Sequence, residues 1–168
     1  MSRRDFTAGA AGAAGLAGGF SSMASARDAL NPGVDLHAIA RDHIEGIWAR
    51  GDEALAYQMY APDVVDHNPA PDQRPRIAGI VDVLRWLRES VPDLSMRINA
   101  YVVDANHAAD RWTMTGTHTG APLMGVEARG KAFSINGMDV IKVRPDGLIT
   151  DVWHVEEFAL LLDQIQAE

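Results

Sequence analysis

The first half of the chain has the hydrophobic pattern of helices. Between Asp35 and Arg50, side chains on one largely apolar face recur at spacings of three and four residues, the repeat of an amphipathic helix: Leu36, Ile39, Ala40, His43, Ile44 and Ile47. The same pattern predicts a second helix at Asp52–Tyr60 and a third at Gly79–Ser90. Asp52 is a favourable N-cap for the second helix.

After Pro92 the pattern changes to an alternation of apolar and polar residues, which is typical of strands. Four long strands are predicted, at residues 95–103, 111–120, 133–143 and 148–157, and a short one precedes them at Val64–Asn68. A short helix from Phe158 to Ile165 closes the chain. This order predicts an α+β domain in which three N-terminal helices pack on a curved, mostly antiparallel sheet and enclose a pocket.

One predicted strand carries a carboxylate on its most apolar face. Every second residue of this strand is apolar or glycine except one: Phe133, Ile135, Gly137, Asp139, Ile141 and Val143. A carboxylate on a dry face needs a raised pKa or a partner, and a carboxylate of raised pKa is a good proton acceptor for a carbon acid. Three alternatives are a bulge at Gly137 that turns Asp139 outward, a purely structural acceptor, and solvent close to Asp139.

Histidines on two of the predicted strands could assist such a base. His67 and Asn68 end the short strand just before a Pro-rich loop, and His118 shares a face with Trp112. Histidine exchanges protons near neutral pH, and it can donate to a developing oxyanion. For each histidine alone, a structural hydrogen bond to backbone is the alternative. The remaining candidates, on predicted helices or in a turn, receive no role: His37, His43 and His107.

Aromatic residues on the strands are suited to form an apolar wall of the pocket: Trp112, Phe133 and Trp153. Flat apolar side chains of this kind line many small-molecule sites, so the pattern favours a ring-containing substrate. Ordinary core packing is the alternative. It is the preferred interpretation for Trp48 and Trp86, which fall on predicted helices.

Composition excludes several function classes. The chain has 168 residues and no cysteine, so thiolate catalysis and disulfides are excluded. A formal net charge of −8 argues against a nucleic-acid partner, because phosphate binding needs clustered Lys and Arg. No motif for a metal, a nucleotide or a serine nucleophile is present, so neither a cofactor nor a metal is expected.

The N-terminus has the three regions of an export signal in order. Arg3-Arg4 precede a weakly apolar stretch at Ala8–Phe20, and the small residues of Ala24–Ala26 follow as a cleavage pattern. The letters "SRRDF" resemble the twin-arginine signal. We therefore predict a signal at residues 1–26, a linker at 27–34, a single domain at 35–168, and export without a membrane span after cleavage. A disordered tail on a cytoplasmic protein is the alternative.

Five segments occur in an order that resembles a known family: "YAPDVVDHNP", "VPDLSMRI", "GTHTG", "GMDVIKVRPDGLITDVWHV" and "LLDQI". Over roughly Asp35 to Gln166, they resemble the SnoaL-like polyketide cyclases of the nuclear-transport-factor-2-like superfamily. The resemblance implies a cone-shaped α+β barrel around one deep pocket, often in a homodimer, and chemistry without a cofactor.

The resemblance also implies roles for individual residues. Family cyclases close a ring by intramolecular aldol condensation, and Asp139 resembles the base that removes a proton next to a carbonyl. His118 resembles the histidine that supports the oxyanion, and His67 and Asn68 resemble polar residues of the pocket. The expected substrate is a small, mostly apolar or aromatic carbonyl compound. The alternatives are an exported protein that only binds such a ligand, and an epoxide hydrolase or dehydratase on the same fold.

Overall fold

The computed structural model describes residues 29–167. The first helix, α1 (Leu36–Arg41), continues directly as a π-helical segment (Asp42–Trp48). Three further helices follow, α2 (Glu53–Met59), α3 (Arg76–Ser90) and α4 (Phe158–Gln166). The predicted export signal lies outside the described residues, so it stays a prediction. No helix within residues 29–167 is long and apolar enough to cross a membrane.

The five strands form one mixed sheet. They are β1 (Tyr60–Asp66), β2 (Ser95–Asp104), β3 (His107–His118), β4 (Lys131–Val143) and β5 (Ile149–Glu156). Their spatial order is β1-β5-β4-β3-β2, with β1 parallel to β5 and all other neighbours antiparallel. The predicted α+β fold is therefore confirmed. The sheet is open, because β1 and β2 are edge strands that do not pair with each other.

Strand β4 keeps its alternation through the carboxylate. Its pairing with β3 runs in continuous register from His107↔Lys142 to His118↔Lys131, so no bulge occurs at Gly137. Asp139 consequently stays on the inner face of the sheet with Ile135 and Ile141, and only 6% of it is exposed. The possibility that Asp139 turns outward is thereby excluded.

Local sequence accounts for the starts of the first two helices. The Asp35 carboxylate accepts hydrogen bonds from the first-turn amides of α1, and that of Asp52 accepts one from Leu55 N at 2.9 Å in α2. The π-helical turn brings consecutive residues to the core side, and four of its members are buried: His43, Ile44, Gly46 and Ile47. His43 of this turn therefore lies in the interior, above the inner face of the sheet.

Candidate active site

A cavity of about 110 Å³ lies between the helices and the inner face of the sheet. Its lining is mainly apolar and aromatic, with rings contributed by Trp48, Tyr60, Trp86, Trp112 and Phe158. A wider groove of about 650 Å³ beside the Pro-rich loop shares several of these lining residues, including Trp86 and Phe158. The groove therefore adjoins the cavity, whose lining also includes carboxylates.

Asp139 lies in the cavity wall at the end of a buried hydrogen-bond chain. Its Oδ1 accepts a hydrogen bond from Trp112 Nε1 at 3.0 Å, and its Oδ2 is 3.0 Å from His43 Nε2. The other ring nitrogen of His43 is 3.0 Å from the Tyr60 hydroxyl. Burial, followed by the charge of Asp139, raises the pKa of Tyr60 well above its usual value. Tyr60 therefore stays protonated and donates to His43 Nδ1, which leaves the Nε2 proton to be donated to Asp139.

Gly137 makes the contact between Trp112 and Asp139 possible. Gly137 is the strand partner of Trp112, and a Cβ at this position would overlap the indole ring. The ring can therefore lie flat across β4 and direct its N–H at the carboxylate two residues further along. The glycine, the tryptophan and the aspartate act together as one element of the site.

A second polar group lies beside Asp139 on the neighbouring strand. His154 is the strand partner of Asp139, and its Nδ1 and Nε2 are 2.7 Å from Glu156 Oε1 and 3.0 Å from Asp66 Oδ1. Burial alone would lower the pKa of His154, but hydrogen bonds to Asp66 and Glu156 raise it to about 10. His154 is therefore an imidazolium at neutral pH. Both of its N–H groups are used by carboxylates, which offset its charge, so it offers the cavity no free donor.

The family follows from comparison with known proteins. The model of the SnoaL-like polyketide cyclases matches residues 38–165. The chain belongs to this family. No curated protein sequence matches it significantly.

Solved structures of the same fold support this membership. TsrD from Streptomyces laurentii has a TM-score of 0.70 at 26% identity, over 80% of this chain and 98% of TsrD. IdmH from Streptomyces antibioticus, a candidate polyketide cyclase, has a TM-score of 0.66 at 23% identity, over 77% of this chain and 98% of IdmH. AclR from Streptomyces galilaeus, a candidate hydroxylase, also has a TM-score of 0.66 at 23% identity, over 78% of this chain and 82% of AclR. At the identities of IdmH and AclR the likeness shows the fold alone, and a fold does not decide the reaction.

Three of the residues expected in the site line the cavity: Asp139, Trp112 and Asn68. His118 does not. It is fully buried, and its Nε2 is bonded to Ala121 O at 2.9 Å. It lies eight residues along β3 from Asp110, the strand partner of Asp139, which is roughly 26 Å at the rise of a strand. An oxyanion role for His118 therefore has no support from the geometry.

The other expected residues are also placed away from the cavity lining. Phe133 is buried in the core at the His118 end of β4. His67 and Trp153 lie on the outer face of the sheet, where their rings stack 4.3 Å apart. His67 also bonds Asp151 there at 2.9 Å. Of the expected wall only Trp112 lines the cavity, because strand alternation sends Trp153 outward and Phe133 lies further along β4. The other rings of the lining are those of Tyr60 on β1 and of three residues on helices, Trp48, Trp86 and Phe158.

The sequence also contained a signal for a residue that received no role. His43 interrupts the apolar face of the first helix, as Asp139 interrupts that of its strand. A polar group at a core position needs a partner, so two such positions are candidates to pair with each other. No comparable sequence signal indicated Asp66 and Glu156, the polar partners of His154. Within residues 29–167, no group of three or more His, Cys, Asp or Glu side chains has a metal-binding arrangement.

The imidazolium of His154 makes stability depend on pH. Its pKa rises from 6.5 to about 10 on folding, so its contribution is complete below pH 6.5 and is lost as pH rises to 10. We expect urea unfolding to show a loss of about 2 kcal/mol over this range, after allowance for solvent screening. Asp66→Asn should make the decline of the unfolding free energy with rising pH shallower. Asp151→Asn, which removes the partner of His67 on the outer face, is the control and should leave it unchanged.

Proposed function

We propose that the chain is an enzyme that removes a proton from a carbon next to a carbonyl group, with Asp139 as the base and no cofactor. The substrate is a small, mostly apolar molecule, and the reaction is aldol-type ring closure or isomerisation. The observation that carries the proposal is a buried carboxylate that lines an aromatic cavity and is oriented through both oxygens. Each carboxylate oxygen has a second lone pair, so orientation by Trp112 and His43 leaves Asp139 able to accept a proton.

The proton that Asp139 removes from the substrate is returned to the product. Asp139 takes the proton, and the electron pair of the C–H bond becomes an enolate. In ring closure the enolate carbon attacks a second carbonyl carbon of the same molecule, and the alkoxide so formed receives the proton from Asp139. In isomerisation Asp139 returns the proton to a different carbon. Exclusion of water by the aromatic lining favours both outcomes, because it strengthens the electrostatic contacts of the site.

The enolate oxygen needs a donor, and one candidate is Trp48, a residue of the cavity lining. Its Nε1 has no hydrogen-bond partner in the described part of the chain. It lies near the Tyr60 hydroxyl, on whose pKa it acts, but not in hydrogen-bonding geometry. We assign the oxyanion contact to this indole N–H. This assignment takes the role that the sequence suggested for His118.

Exchange of carbon-bound hydrogen for deuterium tests the proposal directly. The protein is incubated in D₂O with small cyclic and aromatic ketones and diketones, and with any molecule that copurifies with it. We expect NMR to show deuterium entering the carbon next to the carbonyl faster than in buffer. If a ligand binds in the cavity and exchange stays at the buffer rate, the protein only binds the ligand. This result would favour the alternative of a non-catalytic binding protein.

We also propose that the chain forms a homodimer through the outer face of the sheet. Exposed apolar side chains lie there on three neighbouring strands: Met138 at 51% and Val155 at 62% exposure are strand partners, and Val65 at 47% lies further along the face. Val155→Glu should convert a dimer into a monomer in light scattering coupled to size exclusion. Tyr57→Ser changes a similarly exposed residue on α2 and is the control. A wild type that is monomeric at high concentration would contradict this interface.

A further inference from the structure

Asp110 is a buried carboxyl group that the proposed reaction leaves without a role. It lies on β3 with 2% exposure, and neither of its oxygens has a hydrogen-bond partner within residues 29–167. A polar group buried in this way is costly, and replacement by an apolar residue would remove the cost. Native structures rarely keep such a group without a reason, so the position calls for a functional explanation.

The neighbours of Asp110 are the proposed base, Asp139, and the residues of its hydrogen-bond chain. Asp110 is the strand partner of Asp139 on the inner face, and direct partners of this kind have Cβ atoms about 4.5–5.5 Å apart. His43 in the π-helical turn acts on it electrostatically, and its own charge acts on Tyr60 of β1. On its other side its partner in β2 is Tyr101, which is 42% exposed. The titratable groups around Asp110 are thus mainly those of the hydrogen-bond chain.

Asp110 influences these groups without reaching the ligand, because it does not line the cavity. Burial raises its pKa to about 7; the charge of His43 opposes this rise and that of Asp139 adds to it. Below pH 7 the group is therefore mostly a neutral acid, and above pH 7 it is mostly an anion. A second anion next to Asp139 repels its charge and attracts a proton to the pair that Asp139 forms with His43.

We propose that Asp110 is a positioning residue whose ionisation controls how strongly the His43–Asp139 pair holds a proton. The catalytic consequence rests on the proposed function of Asp139; the electrostatic coupling does not. When Asp110 is neutral, Asp139 is the weaker base. When Asp110 ionises, Asp139 becomes the stronger base, so the rate of proton abstraction increases close to pH 7.

The coupling can be measured by NMR without a substrate. The ring signals of ¹³C,¹⁵N-labelled His43, assigned with a His43→Gln variant, are followed from pH 5 to 9 in the wild type and in Asp110→Asn. We expect a step near pH 7 in the wild type that is absent from Asp110→Asn and present in Asp151→Asn. If Asp110→Asn does not fold, the ¹³Cγ signal of Asp110 in the wild type replaces it and should titrate near pH 7. Absence of the step, or of that titration, would overturn the proposal.

The catalytic consequence is measured by deuterium exchange across the same pH range. Asp110→Asn should lose about tenfold in exchange rate at pH 8 and almost nothing at pH 5.5, since only the ionised form of Asp110 assists the base. A variant with the wild-type pH profile would overturn the positioning role. If the NMR step is present and no ketone exchanges, the electrostatic coupling stands and the proposed function of Asp139 fails. The two proposals are therefore separable.

Discussion

Asp139→Asn is expected to lower the rate of deuterium exchange by about 10²–10⁴-fold, the usual contribution of a positioned general base. The amide has the shape of the carboxylate but cannot take a proton from carbon. It can keep both buried contacts, with its oxygen accepting from Trp112 Nε1 and its NH₂ donating to His43 Nε2. This requires His43 to move its proton to Nδ1 and to donate to the Tyr60 hydroxyl oxygen. The fold and the affinity for the ligand should therefore survive.

Three measurements on the same variant separate catalysis from structure. Exchange is followed by NMR, ligand affinity by quenching of tryptophan fluorescence, and thermal unfolding by circular dichroism. Asp151→Asn is the control, because Asp151 lies on the outer face beside His67 and not in the cavity lining. Asp139→Asn with at least a third of the wild-type exchange rate would show that another group is the base. Loss of the fold together with the rate would leave Asp139 with a structural role instead.

Gly137→Ala is expected to lower the free energy of unfolding by about 1–3 kcal/mol, the range found for overpacked cores. The added Cβ would overlap the indole ring of Trp112, which is 2% exposed. The ring must shift, and its hydrogen bond to Asp139 then lengthens or breaks. We therefore expect a loss of activity in addition to the loss of stability, which urea unfolding and the exchange assay record separately.

A double-mutant cycle with Trp112→Leu identifies the source of this cost. If the clash is with the indole ring, adding Gly137→Ala to Trp112→Leu should cost little, and the coupling energy should reach at least about 1 kcal/mol. Simple additivity of the two changes would refute the clash as the cause. The single variant Trp112→Leu also shows how much activity depends on the indole side chain.

Periodicity alone was sufficient to predict the α+β architecture. The change from helical spacing to alternation at Pro92 correctly separated the N-terminal helices from the four long strands. Alternation also placed Asp139 on the dry face, and the continuous register of β3 and β4 confirms it. These features are local, because each depends on neighbouring residues and on the fixed repeats of helix and strand. Smaller local errors remained, such as α3 beginning at Arg76 and not at Gly79.

The partners of Asp139 depend on contacts between distant segments. His43 is separated from Asp139 by 96 residues, and it reaches the carboxylate because the π-helical turn packs over the inner face of the sheet. His154 reaches Asp66 across 88 residues because β1 and β5 are parallel neighbours in the sheet. Alternation predicts which face of a strand a histidine occupies, but not how far along the sheet it lies from Asp139. His118 is distant because it lies eight residues along β3 from Asp110, the strand partner of Asp139.

By itself, the sequence determined the family, the order of helices and strands, and the burial of one carboxylate on an apolar strand face. Only the tertiary structure decided which groups surround that carboxylate. It brought His43, Trp112 and Asp110 to Asp139, and it placed His118, Phe133 and Trp153 elsewhere. The physical reason is that spacing along a chain reports which face a side chain occupies. Strand order, register and helix docking decide what lies opposite that face.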